Sequence, residues 1–129
     1  MQGDSNILLV ARAFWELLRY DVVMRVWGFR GVHEDLHRTR PRPAKRNPAA
    51  QDAIGEAMKW ALSLYWKQAL CLQRSVAAVR LFRRYGIAAN LVIGYRSTPF
   101  LSHAWVEVEG RVVNDSPVYQ QRLFALDRI

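Results

Sequence analysis

Cysteine and long apolar runs are the scarcest features of this 129-residue sequence. Its one cysteine, Cys71, excludes an intramolecular disulfide and a zinc site built from several cysteines, and it is typical of a reducing compartment. Charged residues interrupt residues 1–26, and the longest uncharged run extends only from Tyr85 to Tyr95. No transmembrane segment of roughly 20 residues and no signal peptide fits this pattern, so the sequence predicts a cytoplasmic protein.

Acidic side chains are also few: the sequence has 11 of them and 19 basic side chains, which gives a net charge of +8. Lysine occurs only at positions 45, 59 and 67, so nearly all the basic residues are arginine. This balance indicates an acidic partner, and nucleic acid, an anionic membrane surface and an acidic polypeptide all satisfy it. The forked donors of arginine favour carboxylate or phosphate groups.

Apolar residues, by contrast, are plentiful enough for a folded domain. They make up 51% of the sequence against 23% charged residues, which excludes general disorder. Because independent domains usually contain about 100–150 residues, we expect residues 1–129 to form a single domain.

Three stretches have the apolar spacing of amphipathic helices. The first covers about residues 5–27, after which the glycines at 28 and 31 should loosen the chain. The second covers residues 48–65 and the third residues 71–84, with Gly86 as a left-handed stop. After Gly86 the apolar residues alternate, which predicts strands at 87–96, 102–109 and 111–115 and a short edge strand at 123–126. Helices followed by strands indicate an α+β fold with an antiparallel sheet.

Cys71, His103 and Asp115 are the candidate catalytic residues. A thiol at the start of a helix lies at the positive end of the helix dipole, which stabilises the thiolate. Taken singly, each residue has an ordinary explanation: a small buried cysteine, a structural strand histidine and a turn-forming aspartate. Taken together, they supply a nucleophile, a base and a group that orients the base.

The loop between the strands of His103 and Asp115 affects whether this triad can assemble. A two-residue loop at positions 109 and 110 would put Asp115 on the sheet face opposite His103, unless a bulge compensated. A three-residue loop ending in a left-handed Gly110 would bring both side chains onto one face. We therefore predict the three-residue loop, in which residue 107 pairs with residue 111.

A series of short motifs lies between residues 66 and 126. They are Cys-Leu-x-Arg-Ser at 71–75, Leu-Phe-Arg-Arg-Tyr-Gly-Ile-Ala-Ala at 81–89, Leu-Val-Ile-Gly at 91–94, His-Ala-Trp-Val-Glu at 103–107 and Val-Asn-Asp at 113–115. Together they resemble the lasso peptide leader peptidases, the peptidase half of the lasso maturation B proteins. Those enzymes belong to the transglutaminase-like cysteine protease superfamily, across which His-Ala-Trp-Val-Glu recurs.

The resemblance implies a transglutaminase-like or papain-like α+β fold. Residues 1–65 would form the N-terminal helices, and residues 66–129 a catalytic core in which a cysteine-bearing helix packs on a small antiparallel sheet. It also implies that Cys71 is the nucleophile, His103 the general base and then acid, and Asp115 the residue that orients His103. It implies neither a metal nor another cofactor.

The oxyanion donors and the neighbouring motif residues follow from the same resemblance. The backbone N–H of Cys71 is one candidate donor, and Gln68 is a candidate for the second. We expect structural roles for Arg74 and Ser75, and we expect Trp105 to shape the cleft.

The resemblance further implies that the substrate is a lasso precursor peptide, from which the enzyme removes the leader. Fused B proteins carry an additional module that holds the leader, and 129 residues do not easily contain both parts. We therefore expect a separate leader-recognition protein, with a lasso cyclase as a further candidate partner and no nucleic acid.

Two other functions stay open at this point. An acyltransferase of the same fold would hand the acyl group to an amine instead of water. A non-catalytic module that binds nucleic acid would explain the positive charge but not the triad. We expect His33 and His37, one helical turn apart, to be solvated and not metal ligands. We expect the basic segment 38–46 to be a solvated linker, and its alternative role is to help dock an acidic partner protein or leader.

Overall fold

The computed structural model describes residues 2–39, 48–66, 70–97, 100–113 and 123–129. Within these residues the helices are α1 (Gln2–Arg38), α2 (Pro48–Leu64) and α3 (Cys71–Arg84), and the strands are β1 (Ala89–Ser97), β2 (Phe100–Val108), β3 (Arg111–Val112) and β4 (Phe124–Arg128). The strands form an antiparallel sheet in the order β3-β2-β1-β4. The predicted α+β class is confirmed, and none of the described helices is long and apolar enough to cross a membrane.

Helix α1 is longer than its apolar spacing predicted. Gly28 has a φ of 69°, outside the helical region, so it interrupts α1 where the sequence indicated. The prediction that the helix ends there is wrong, because helical backbone resumes and continues to Arg38. Burial explains the continuation, since Val32 and Leu36 are both buried in the main core.

Helices α2 and α3 begin and end close to the predicted positions. The end of α3 has the hydrogen bonds of a Schellman motif: Gly86 N–H donates to Arg83 O and Ile87 N–H to Phe82 O, both at 3.0 Å. Gly86 has a φ of 78°, so the predicted left-handed stop is confirmed. After this stop the chain enters β1, which lies between β2 and β4 in the sheet.

The sheet has an apolar cluster on each face. Ala104, Val106 and Val108 belong to the main core, which they share with buried residues of all three described helices. On the other face Trp105 packs with Val92 and Leu123. Side chains therefore alternate along β2 as its sequence predicted.

A buried ionic network fixes α3 to α1. Arg80 Nε donates to Glu16 Oε2 at 2.7 Å, and Arg80 also bonds Asp35. Arg19 binds the same Asp35 carboxylate through two hydrogen bonds of 2.9 and 3.1 Å. Glu16 is only 1% exposed, so its charge depends on these partners.

The neighbouring Arg83 connects several parts of the fold at once. Its guanidinium donates to three backbone carbonyl oxygens, those of Leu36 in α1, Ala89 in β1 and Ile129, at 2.7, 3.0 and 2.9 Å. The ionic side chains of α3 thus hold this helix against α1 and the sheet.

Candidate active site

Cys71 is the first residue of α3, as the sequence predicted. The residue before it, Leu70, has extended backbone angles and provides no side-chain cap, so the helix begins without a hydroxyl or carboxylate at its N-terminus. Cys71 is partly buried and packs against the main core. Its side chain therefore lies at the positive end of the dipole of α3.

A polar cluster near Cys71 joins the first turn of α3 to α1. Gln73 Nε2 donates to Leu17 O and to Asp21 Oδ2, both at 3.0 Å. The hydroxyl of Tyr65 donates to the same Asp21 carboxylate. Burial and the hydrogen bond to Asp21 raise the pKa of Tyr65 to about 12.

Tyr20, next to this cluster, interacts electrostatically with Cys71. Its pKa is raised to about 12, first by burial, then by the negative charge of Asp21 and then by the electrostatic interaction with Cys71. Tyr20 and Tyr65 are therefore protonated at neutral pH. No sequence pattern indicates this cluster, because its members come from α1, from α3 and from Tyr65, the residue after α2.

One hydrogen bond links α3 to the strand segment that contains His103. Ser75 lies one helical turn after Cys71, and its Oγ donates to Ala104 O at 3.2 Å. Ala104 directly follows His103 in β2. The structure thus brings together the two segments that contain the predicted nucleophile and base, and it gives Ser75 the structural role expected from the sequence.

The imidazole of His103 lies over Trp105 on the sheet face opposite Ala104. The two rings are nearly parallel, with centroids 6.4 Å apart. Trp105 is buried, and its Nε1 donates to Glu107 Oε2 at 2.9 Å. Glu107 also pairs with Arg128 at 3.5 Å. Trp105 therefore lies beside His103 and belongs to the apolar cluster on that face.

The hairpin after β2 contradicts the predicted loop. Residue 107 pairs with Val112 and residue 108 with Arg111, so the loop contains two residues, not three. Glu109 and Gly110 have φ values of 54° and 76°, the pattern of a type I′ turn. The prediction failed because it let only the glycine adopt a left-handed conformation, whereas Glu109 adopts one as well.

This register continues to the last described residue before the gap. Val113 N–H donates to Val106 O at 3.0 Å, as the two-residue loop requires. Asp115 lies outside the described residues. For Asp115 to share the sheet face of His103, the chain needs a one-residue shift after Val113. The catalytic role of Asp115 therefore stays a prediction, and it requires that one-residue shift.

The remaining predicted residues are placed as follows. Gln68, the candidate oxyanion donor, lies outside the described residues, as does most of the basic segment 38–46. His33 and His37 are neighbours on α1, with ring centroids 4.4 Å apart. Among the described residues, no group of three or more His, Cys, Asp and Glu side chains is arranged to hold a metal ion.

Comparison with known proteins gives the family. The model of the transglutaminase-like superfamily matches residues 16–126. The Microcin J25-processing protein McjB of Escherichia coli is 46% identical over 59 residues, which are 46% of this chain and 28% of that protein. No solved structure was found that matches the chain. The family match covers most of the chain, including the helix of Cys71 and the strand of His103, and the chain belongs to the transglutaminase-like superfamily.

Proposed function

We propose that this chain is a cysteine peptidase that removes the leader from a lasso precursor peptide. The observation that carries the proposal is the position of Cys71 at the start of α3, a helix that is bonded through Ser75 to the residue after His103. Membership of the transglutaminase-like superfamily supports nucleophilic chemistry at Cys71. The resemblance to the leader peptidases and the similarity to a microcin J25-processing protein support a peptide precursor as the substrate.

The proposed reaction begins when the Cys71 thiolate attacks the carbonyl carbon of the last leader residue. The backbone N–H of Cys71 is a candidate donor to the resulting oxyanion, because the first N–H groups of a helix have no acceptor within that helix. His103, protonated by the thiol, then gives its proton to the leaving amine, and the core peptide departs. Asp115 is assigned the role of orienting His103.

The second half of the reaction regenerates the enzyme. His103 takes a proton from water, which attacks the thioester between Cys71 and the leader. The leader leaves with a free carboxylate, and the proton returns to the sulfur. In the alternative acyltransferase, an amine replaces water and the leader becomes cross-linked.

The proposed partners follow from the same substrate. A separate leader-recognition protein would present the precursor, and a lasso cyclase would act on the released core. The net charge of +8 favours an acidic partner or leader.

Mass spectrometry of a three-component mixture tests this proposal. The chain, a precursor and a leader-recognition protein should yield free leader and free core, and omission of the recognition protein should slow cleavage. A cross-linked product would favour the acyltransferase. An unchanged precursor, together with strongly salt-dependent nucleic-acid binding, would favour the binding module.

A further inference from the structure

We propose that Ser75 is a positioning residue that holds the Cys71 end of α3 in register with His103. Ser75 is 0% exposed, so its hydrogen bond to Ala104 O is fully buried. The bond joins a residue one turn after Cys71 to the residue immediately after His103. The inference rests on the proposed Cys71–His103 pair and adds a residue that acts through both members of it.

The direction of the Ala104 carbonyl places this contact at one edge of β2. Val106 O points toward β3, because it accepts a hydrogen bond from Val113 N–H. Carbonyl groups two residues apart on a strand point the same way, so Ala104 O points to the same edge. The Ser75 turn of α3 therefore lies beside the β3 edge of β2.

This edge position matters because His103 lies on the sheet face away from the main core. Ala104 faces the helices, whereas the His103 ring stacks on Trp105 on the opposite face. A helix over the middle of the sheet would be separated from that face by the sheet itself. A helix end held at an edge can approach side chains on either face, and the Ser75 hydrogen bond holds α3 there.

Removal of the Ser75 hydroxyl should therefore lower kcat by a larger factor than it lowers the equilibrium constant for folding. A misplacement of about 1 Å of a catalytic group can cost about 100-fold in rate. We expect Ser75→Ala to lower kcat for precursor cleavage by about 10- to 100-fold and to leave KM nearly unchanged. Ser75→Thr keeps the hydroxyl and should restore much of kcat.

Two control variants separate positioning from general loosening of a helix. Ser63→Ala removes an exposed hydroxyl that donates to Lys59 O within α2 at 3.1 Å, and it should leave kcat unchanged. Val79→Ala removes buried apolar volume from α3, one turn after Ser75. It should lower stability without selectively lowering kcat.

Alkylation of Cys71 tests the inference without a peptide substrate. The sequence has one cysteine, so the rate of thiol alkylation by iodoacetamide at each pH measures the reactivity of Cys71 alone. If Ser75 maintains the Cys71–His103 pair, Ser75→Ala should shift the pH profile of alkylation toward that of His103→Ala. Ser75→Ala in a His103→Ala background should then cause no further shift, and Val79→Ala should keep the wild-type profile.

The outcomes distinguish this inference from the peptidase proposal. A wild-type alkylation profile and wild-type kcat in Ser75→Ala would overturn the role of Ser75, as would an equal shift in Val79→Ala. A shifted profile in Ser75→Ala, with no cleavage of precursor by the wild-type protein, would support Ser75 and contradict the peptidase. If Ser75→Ala does not fold, comparison of Ser75→Thr with Ser75→Val isolates the hydroxyl, since the two side chains have nearly the same shape.

Discussion

Gly94 lies against the indole ring of Trp105, with no room for a side chain between them. A Cβ added at Gly94 would stand 2.4 Å from Trp105 Cη2 and 2.6 Å from Cζ3. Gly94 is also the cross-strand partner of His103, whose ring stacks on Trp105. The absence of a side chain at Gly94 thus lets the Trp105 ring lie against β1, beside the proposed catalytic histidine.

Replacement of this glycine should destabilise the fold. Gly94→Ala forces the Trp105 ring to move within a packed cluster, so we expect a loss of about 1–3 kcal/mol in the free energy of unfolding. Urea denaturation followed by tryptophan fluorescence measures this loss. Gly55→Ala is the matched control, because a Cβ at Gly55 meets no heavy atom within 4 Å, and in helix α2 it should add about 0.5–1 kcal/mol. Equal stability of Gly94→Ala and the wild type would contradict the packing described.

Substitution of Arg80 should lower the free energy of unfolding more than substitution of most other charged residues in the described fold. Arg80→Ala leaves the buried carboxylate of Glu16 without its closest cation and removes one cation from Asp35. Breaking a buried ion pair in this way typically costs about 3–5 kcal/mol in the free energy of unfolding. Arg30→Ala is the control, because the Arg30–Glu34 pair is exposed and should contribute less than about 1 kcal/mol. A similar loss in both variants, measured by denaturation, would contradict the assignment.

The same network predicts an acid-sensitive component of stability at Asp35. Burial alone would raise the pKa of Asp35, but hydrogen bonds and charges from Arg19 and Arg80 outweigh it and hold the pKa below the ordinary value of 3.8. A carboxyl group with a lowered folded-state pKa contributes stability that is complete above its unfolded pKa and is lost as pH falls through the folded value. The stability difference between the wild type and Asp35→Asn should therefore be constant near neutral pH and shrink below about pH 4.

Denaturation of both proteins between pH 7 and pH 2.5 measures this difference. Glu34→Gln is a suitable control, because Glu34 is exposed and its ion pair with Arg30 lies on the surface. Its stability difference from the wild type should be small throughout. If the stability difference between the wild type and Asp35→Asn became larger as the pH falls, the result would contradict the lowered pKa of Asp35.

The turn at Glu109 offers a direct test of the hairpin register. Asn-Gly is the preferred sequence of a type I′ turn, whereas a left-handed conformation costs an ordinary residue such as Glu109 about 1 kcal/mol. Glu109→Asn should therefore raise the free energy of unfolding by up to about 1 kcal/mol. In a three-residue loop with a right-handed residue 109, the same change would bring no such gain.

Local chemistry explains why some elements could be predicted from the sequence. The bounds of α3 depend on residues within the helix and just beyond it: a regular apolar stripe and Gly86, which can adopt a left-handed conformation without a steric penalty. The alternation of side-chain direction along β2 likewise predicts that Ala104 and Trp105 lie on opposite faces of the sheet, as they do. Such features require no knowledge of distant contacts.

Other features depend on tertiary contacts and were missed or predicted wrongly. The continuation of α1 past Gly28 follows from the burial of Leu36, and the charge of Glu16 is tolerated in the core because Arg80 reaches it from another helix. The hairpin loop was predicted wrongly because the three-residue loop was chosen to bring His103 and Asp115 onto one sheet face, whereas Glu109 adopts a left-handed conformation and closes a two-residue turn.

The most direct test of the central claim is the rate of leader cleavage in single-turnover reactions with precursor and recognition protein. Cys71→Ala should retain fold and partner binding but abolish cleavage, and His103→Ala should be nearly as severe. Asp115→Asn should keep residual activity, because it impairs the orientation of His103 without removing the base. Cleavage by Cys71→Ala at a rate comparable to the wild type would contradict the account, as would a greater loss in Asp115→Asn than in Cys71→Ala.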